Sequence, residues 1–269
     1  MNFGELGLSA AEPVSGGCIH RCYRAQRDGR AVFLKLNEAR FADAFAAEAD
    51  GLAALRAAGC RAPEPIAHGT AGASAYLLLE FLELRSGGDF ASLGTMLAAM
   101  HRRQAGRYGW PRDNYIGATA QPNGWSESWM AFWRERRLEP QLALAARNGY
   151  RIDVPPVWQL LEGHEPAPSL LHGDLWSGNA GFLPDGAPAL FDPAVYYGDR
   201  EADLAMTELF GGFARQFHSA YEAAWPLAPG YARRKHLYNL YHLLNHLNLF
   251  GGGYLAQVRS ALRLLARGL

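Results

Sequence analysis

Asp174, Asn179 and Asp192 are the residues in this chain whose types and spacing can do chemistry. They stand in two stretches, Leu170-Leu171-His172-Gly173-Asp174-Leu175-Trp176-Ser177-Gly178-Asn179 and Ala189-Leu190-Phe191-Asp192-Pro193. Each stretch opens on an apolar run that leads into a carboxylate. Short apolar runs interrupted by Gly predict buried strands that release polar side chains at their ends, so the three groups should converge on one concave point. An Asp that can take a hydroxyl proton, beside an Asn and a second Asp whose oxygens can hold Mg²⁺, is the equipment for phosphoryl transfer. Singly, Gly-Asp and Asp-Pro are ordinary turn punctuation. Their order, followed by the helix start Asp199-Arg200-Glu201-Ala202-Asp203-Leu204-Ala205, makes the reading specific.

Such a centre needs elements to deliver it and a second set of groups to hold phosphates. The Asp-x-x-x-x-Asn spacing matches the catalytic loop of protein kinases, with Asp192 in the place of their DFG aspartate. Upstream, residues 13–25 and 31–36 predict two strands joined by the hairpin turn Arg27-Asp28-Gly29-Arg30. Gly16-Gly17, followed by Cys18, is where a backbone without Cβ can approach a phosphate. Lys35 lies in the run Val32-Phe33-Leu34-Lys35-Leu36, and the only other lysine is Lys235. A chain that otherwise uses Arg has kept this Lys for its chemistry. Residues 40–58 predict a helix, with Phe41, Phe45, Leu52 and Leu55 at helical spacing and Gly59 and Pro63 ending it. Glu48 falls on the same apolar face, where an ionised carboxylate needs a partner. Lys35 is the expected one, as in the strand-Lys to helix-Glu pair that orients nucleotide phosphates in kinases. Ala75 to Leu84 predicts the last strand of a small lobe and its hinge, where backbone groups around Glu80, Phe81 and Leu82 can pair with an adenine edge.

The remainder reads as helical with polar loops. Leu93 to Arg103 predicts a helix, and Ser128 to Leu138 starts a long one whose Trp129, Phe132 and Trp133 stripe is core. The loops at Asp113-Asn114-Tyr115-Ile116-Gly117 and Gln121-Pro122-Asn123-Gly124-Trp125 suit a binding rim. Asp203 is expected to cap the helix from Leu204 to Phe210. His242 and His246, four residues apart in an apolar helix, read as satisfied core or rim histidines rather than metal ligands.

Composition bounds these expectations. The 269 residues suffice for two lobes. Lys+Arg and Asp+Glu are both 26, a net charge of zero that argues against nucleic-acid binding. No run approaches the roughly 18 apolar residues of a membrane span, and the N-terminus lacks a signal pattern, so a soluble cytoplasmic protein is expected. Cys18, Cys22 and Cys60 form an odd set without a Cys-x-x-Cys pair, which indicates neither a disulfide framework nor a zinc site. Cys18, beside the phosphate loop, is a candidate for reversible oxidation, including a disulfide to a second copy. The chain is thus expected as a monomer or a Cys18-linked homodimer.

At these residues the chain resembles the fructosamine kinase (ketosamine-3-kinase) family, a branch of the protein-kinase-like phosphotransferases related to the aminoglycoside kinases. The resemblance runs from residue 16 to about 254. It rests on Gly-Gly-Cys18-Ile19, the Val-Phe-Leu-Lys35 strand, the two polar loops, HGDLWSGN, FDPAVYYGDREADLAM, ELFGGF and LNHLNLFGGGY. It implies an α+β, bilobal fold, with a nucleotide-binding lobe over 1–84 and a mainly helical catalytic and substrate lobe over 85–269. It also implies ATP-dependent phosphorylation of the O3 hydroxyl of a ketosamine, free or protein-bound, as a deglycation repair. Lys35 and Glu48 would set the phosphates, under Gly16, Gly17 and Cys18. Asp174 would be the base, and Asn179 and Asp192 would hold Mg²⁺. Trp176, with His172 and Asn114, would meet the sugar adduct. No activation segment follows Asp192, which fits a small-molecule kinase. The alternatives are an aminoglycoside or amino-alcohol phosphotransferase and a non-catalytic nucleotide-binding scaffold. The first calls for an acidic cleft, yet Arg dominates residues 104–165; the second would have lost one of Lys35, Asp174, Asn179 or Asp192, and all are present.

Overall fold

The computed structural model describes residues 3–14 and 19–267. Strands β1 (Ser9–Val14), β2 (Arg21–Arg27) and β3 (Arg30–Glu38) precede helix α1 (Ala42–Ala57), and β4 (Pro65–Ala71) and β5 (Ser74–Glu80) follow it. All five form one antiparallel sheet in the order β1-β2-β3-β5-β4. At the β2–β3 turn Arg27 pairs with Arg30, and Asp28 and Gly29 both take positive φ, 51° and 74°. That is the turn whose twist matches its flanking strands. The single strand expected from Pro13 to Ala25 is instead two, with Val14 ending β1 and Arg21 opening β2. Ser-Ala-Ala-Glu-Pro-Val carries little strand signal, and Pro13 suits only the sheet edge where β1 lies.

Alternation along β3 decides where the chemistry goes. Val32, Leu34 and Leu36 turn to one face of the sheet, against Leu8, Ala25 and Leu78. Lys35 must therefore project with Phe33 to the other face, where Phe45, Leu52 and Leu55 of α1 pack on Leu77 and Leu79 of β5. Helix α1 closes in a Schellman turn: the Cys60 N–H donates to Leu55 O, the Gly59 N–H to Arg56 O, and Gly59 has φ +91°.

The second part is mainly helical. Helix α2 (Phe90–His101) is followed by the hairpin β6 (Asn114–Ile116) and β7 (Thr119–Gln121), then α3 (Trp129–Trp133) and α4 (Glu139–Arg147). Short strands β8 (Ser169–Leu171), β9 (Ala180–Phe182), β10 (Pro188–Leu190) and β11 (Tyr196–Gly198) carry the candidate catalytic stretches, with β8 paired to β11 and β9 to β10. Helices α5 (Glu201–Leu209), α6 (Arg215–Ala224), α7 (Tyr231–Phe250) and α8 (Leu255–Ala266) complete it. Trp129, Phe132 and Trp133 are buried against α7, as expected of a core stripe. The helix they start is not uniform: residues Arg134–Leu138 form a π turn in which the Glu139 N–H reaches back to Arg134 O. Pro140 has no N–H to give and crowds the preceding turn, which accounts for the wider loop. Among the described residues no helix is long and apolar enough to cross a membrane.

Helices α2 and α6 pass close together at Gly94, where an added Cβ would stand 2.3 Å from the Phe217 carbonyl oxygen. Backbone cannot yield as a flexible side chain does. Gly94→Ala is therefore expected to cost about 1–3 kcal/mol. Thermal melts compared with Gly106→Ala, whose Cβ meets nothing, check this; equal melting temperatures would refute the close contact.

Candidate active site

A cleft of about 610 Å³ opens between the sheet and the helical part, and Lys35, Glu48, Asp174, Trp176, Asn179 and Asp192 all line it. Strand β3 sends Lys35 into it and α1 sends Glu48. The Lys35 Nζ donates to Glu48 Oε1 at 2.7 Å and to Asp192 Oδ1 at 2.5 Å. Burial alone would push the Lys35 ammonium down, but Asp192 and Glu48 outweigh it and hold the pKa above its ordinary value. Burial also pushes the Glu48 carboxyl up, against the pull of Lys35. The expected strand-to-helix pair is therefore present, and Asp192 joins it from the opposite side.

The loop after β8 carries Asp174. Gly173 has φ +82°, and a Cβ there would lie 2.0 Å from the Ala194 oxygen, so this position admits no side chain. Burial, then the charge of Asp192, raises the Asp174 carboxyl to about 7, against the hydrogen bond from Asn179. The Asn179 Nδ2 donates to Asp174 O at 2.9 Å and Asp174 Oδ2 at 3.2 Å. That turns its carbonyl oxygen away from Asp174. Asp192, whose side chain is 45% exposed, opens into the cleft with φ +55°. A left-handed non-Gly residue is strained and is kept where its surroundings over-determine it. An amide oxygen and a carboxylate on adjacent loops are a hard-oxygen donor set of the kind Mg²⁺ takes, so Asn179 and Asp192 fit that ion. Trp176 forms part of the cleft wall with its indole packed over Gly178, where a Cβ would stand 2.3 Å from the ring.

His172 does not reach the cleft, contrary to the expectation that it meets substrate. It is fully buried. Its Nε2–H donates to Phe191 O at 2.9 Å, and its Nδ1 accepts the Asp174 N–H at 3.3 Å. Only the neutral ring can do both, and burial lowers its pKa accordingly. His172 thus spans the two loops and fixes Asp174 relative to Asp192. Asn114 touches the cleft, but its amide is committed: Nδ2 donates to Val195 O, and Oδ1 accepts from Gln121 and Asn123. At the end of β5, the Glu80 N–H donates to Glu64 O, and the Glu80 carboxylate takes a two-pronged ion pair from Arg61. Phe81 and Leu82 follow in the cleft wall. Gly16, Gly17 and Cys18 lie outside the described residues; Cys22 and Cys60 are free thiols. His246 donates from Nδ1 to the His242 carbonyl at 2.9 Å and lines the cleft.

Asp203 does more than the expected cap. It lies in the first turn of α5, which begins at Glu201, rather than capping a helix of its own. Its carboxylate accepts the backbone N–H groups of His172 at 2.7 Å and Gly173 at 2.8 Å, and pairs with His101 at 3.1 Å. The signal was an acid at the start of a helix; its use, bracing a loop some 30 residues upstream, depends on tertiary placement.

A sheet and a helical part, with a Lys–Glu pair facing two acids and an Asn across a cleft, define a protein-kinase-like phosphotransferase. The comparisons place the chain more closely. A family model described as fructosamine kinase matches residues 3–267. A probable ketoamine kinase of Synechocystis is 50% identical over 93% of this chain and 88% of its own. The crystal structure of a putative fructosamine-3-kinase from Haemophilus somnus superposes with a TM-score of 0.90 at 30% identity, covering 96% of this chain and 91% of that one. An aminoglycoside phosphotransferase, solved with ADP and hygromycin B, shares the fold at a TM-score of 0.61 and 15% identity, over 97% and 93% of the two chains. The chain belongs to the fructosamine kinase family, and as such is a sugar-amine kinase.

Two outcomes follow for the buried charges. Burial would raise the Asp203 carboxyl, but its pairing with His101 and the hydrogen bond from the Gly173 N–H hold it below the usual range. A depressed native pKa gives stability that is complete above the unfolded value and is lost as pH falls through the native one. Asp203→Asn is expected to cost about 3 kcal/mol at neutral pH, a gap that narrows below about pH 4; denaturant melts across that range read it. Lys35→Met strands Glu48 at a comparable cost. Adding Glu48→Gln should restore the melting temperature but not activity. A single mutant that melts like the parent would show the pair to be dispensable for folding.

Proposed function

We propose that the cleft transfers the γ-phosphoryl group of ATP to the O3 hydroxyl of a ketosamine, in repair of glycated amines. The observation that carries this is the meeting of Asp174, near pKa 7, with the Lys35–Glu48–Asp192 cluster in one cleft. A carboxyl near 7 can accept the proton of the attacking hydroxyl at neutral pH. Lys35, fixed by Glu48, would meet the phosphates, and Asn179 and Asp192 would hold Mg²⁺, which would supply positive charge against that building on the transferred group. Backbone groups of Phe81 and Leu82 take the adenine edge. In this reading the nucleotide lobe is 1–84 and the catalytic lobe 85–269, and Trp176 walls the sugar adduct. His172 and Asn114 orient the loops instead of touching substrate.

Among the described lining residues, Glu48 and Asp192 share the single Lys35, Glu80 faces Arg61, and Asp174 accepts from the neutral Asn179. A ketosamine acceptor is supported not by this charge pattern but by the family to which the chain belongs and by its similarity to a probable ketoamine kinase.

ATP turnover against fructosamines, ribulosamines, erythrulosamines and aminoglycosides tests the proposal. Asp174→Asn should keep ATP binding and lose about 10²–10⁴ in turnover. Asp192→Ala should weaken Mg²⁺·ATP binding more than Asp174→Asn does. Turnover of aminoglycosides alone would overturn the acceptor, and near-normal Asp174→Asn the base.

A further inference from the structure

The polar loops around β6 and β7 line the cleft through Asn114, Tyr115 and Gly117, and they also form a brace. Arg112 extends from this brace to α1, donating from Nη2 to Asp43 at 2.5 Å and from Nη1 to Asp50 at 2.8 Å. Tyr115 adds a hydrogen bond from its hydroxyl to Asp43 at 3.1 Å. Asp43 and Asp50 are seven residues apart, two turns along one flank of α1, roughly 140–160° around from Glu48. The root of Arg112 is itself held. Asn123 Nδ2 donates to the Arg112 carbonyl, and Asn123 Oδ1 accepts from Arg137. Arg137 is fully buried, its guanidinium 4.0 Å from the centre of the Tyr196 ring. It is delivered there by the π turn before Pro140.

The same brace grips the segment after Asp192. Asn114 donates to Val195 O at 2.8 Å and Gln121 to Ala194 O at 3.1 Å. Helix α1 touches that segment at Gly51, where a Cβ would stand 3.1 Å from Pro193. One rigid hairpin thus sets α1 and the Asp192 loop against each other, and with them the two carboxylates that share Lys35.

We propose that Arg112 is a positioning residue that staples α1 in its working place, so that Glu48 stays on Lys35 in every state of this kinase. The proposal rests on the reading of Lys35 and Glu48 as the phosphate-setting pair. Without the staple α1 can rock on the sheet. Lys35, already bonded to Asp192 at 2.5 Å, then keeps that partner and loses Glu48. The staple's partners are exposed, so its contribution to global stability is small. It acts on the placement of one helix.

The experiment compares wild type, Arg112→Gln, Arg112→Lys and the double variant Asp43→Asn/Asp50→Asn, with Glu48→Gln as a control on the underlying reading. Arg112→Gln and the double variant are expected to lower kcat/KM for Mg²⁺·ATP about 5- to 20-fold, leave the KM for ketosamine unchanged and barely move the melting temperature. Arg112→Lys, which keeps a charge but not the fork, should recover part of the loss. Raising salt from about 0.05 to 0.5 M screens the staple. Wild-type turnover should fall toward that of Arg112→Gln, which itself responds less. Amide hydrogen exchange without ligands should quicken in α1 and not in α7. Arg112→Gln with kcat/KM within twofold of wild type, or with unchanged exchange in α1, overturns the staple while leaving the catalytic reading intact. If Glu48→Gln is fully active, the reading beneath it falls instead.

Discussion

One buried ammonium group sets the terms for the rest of the molecule. Lys35 Nζ is almost wholly removed from water and lies between Glu48 and Asp192, one from the sheet side and one from the helical part. A buried cation costs several kcal/mol unless its partners are placed well. That requirement fixes the register of β3, since a slip of one residue would turn Lys35 into the apolar layer of Val32, Leu34 and Leu36. It also fixes the rotation of α1 and the distance between the two parts of the chain. The sheet and the catalytic loops are linked by chemistry at this nitrogen as much as by apolar packing.

The second constraint lies beneath the catalytic loop. Gly173 and Asp192 both take left-handed backbone, and the two loops are held together through His172, whose ring bonds to one side and whose carbonyl accepts the Ala194 N–H on the other. Asp203 secures this loop through two backbone N–H groups and is itself paired with His101, which contacts the Tyr221 hydroxyl. Strain at Asp192 is thus supported by a fully bonded polar network running from α2 to α6. Such a network is effective only when complete.

Much of this was legible in the sequence. The β2–β3 turn, α1, the Lys35–Glu48 pair, the core stripe at Trp129 and the convergence of Asp174, Asn179 and Asp192 follow from alternation, helical spacing and turn chemistry, and the structure places them so. The expectations that the structure corrects share one cause. His172 and Asp203 are polar residues in or beside motifs, and local pattern cannot say whether such a side chain faces a ligand or its own backbone. His172, expected at the substrate, is buried; Asp203, expected to cap its own helix, serves a distant loop. Strand β1 was missed because Ala, Glu and Pro give no strand signal, and only pairing to β2 makes it one. The π turn was hidden in the same way, although Pro140 marks where the helix had to widen.

The segment after Asp192 shows why a built-in brace suits this protein. In kinases that are switched, a mobile stretch beyond the metal-binding aspartate is ordered by phosphorylation and sets the helix carrying the glutamate. Here only eight residues separate Asp192 from α5 at Glu201. Pro193 to Tyr196 are buried, β11 pairs with β8, and Asp199 accepts from the Tyr238 hydroxyl. No length is left over to move. A chain so arranged has to fix the place of Glu48 by permanent contacts, and Arg112, rooted through Asn123 on the buried Arg137, supplies them from the hairpin that also holds Ala194 and Val195. The geometry that a regulated kinase assembles on demand is built here into the fold.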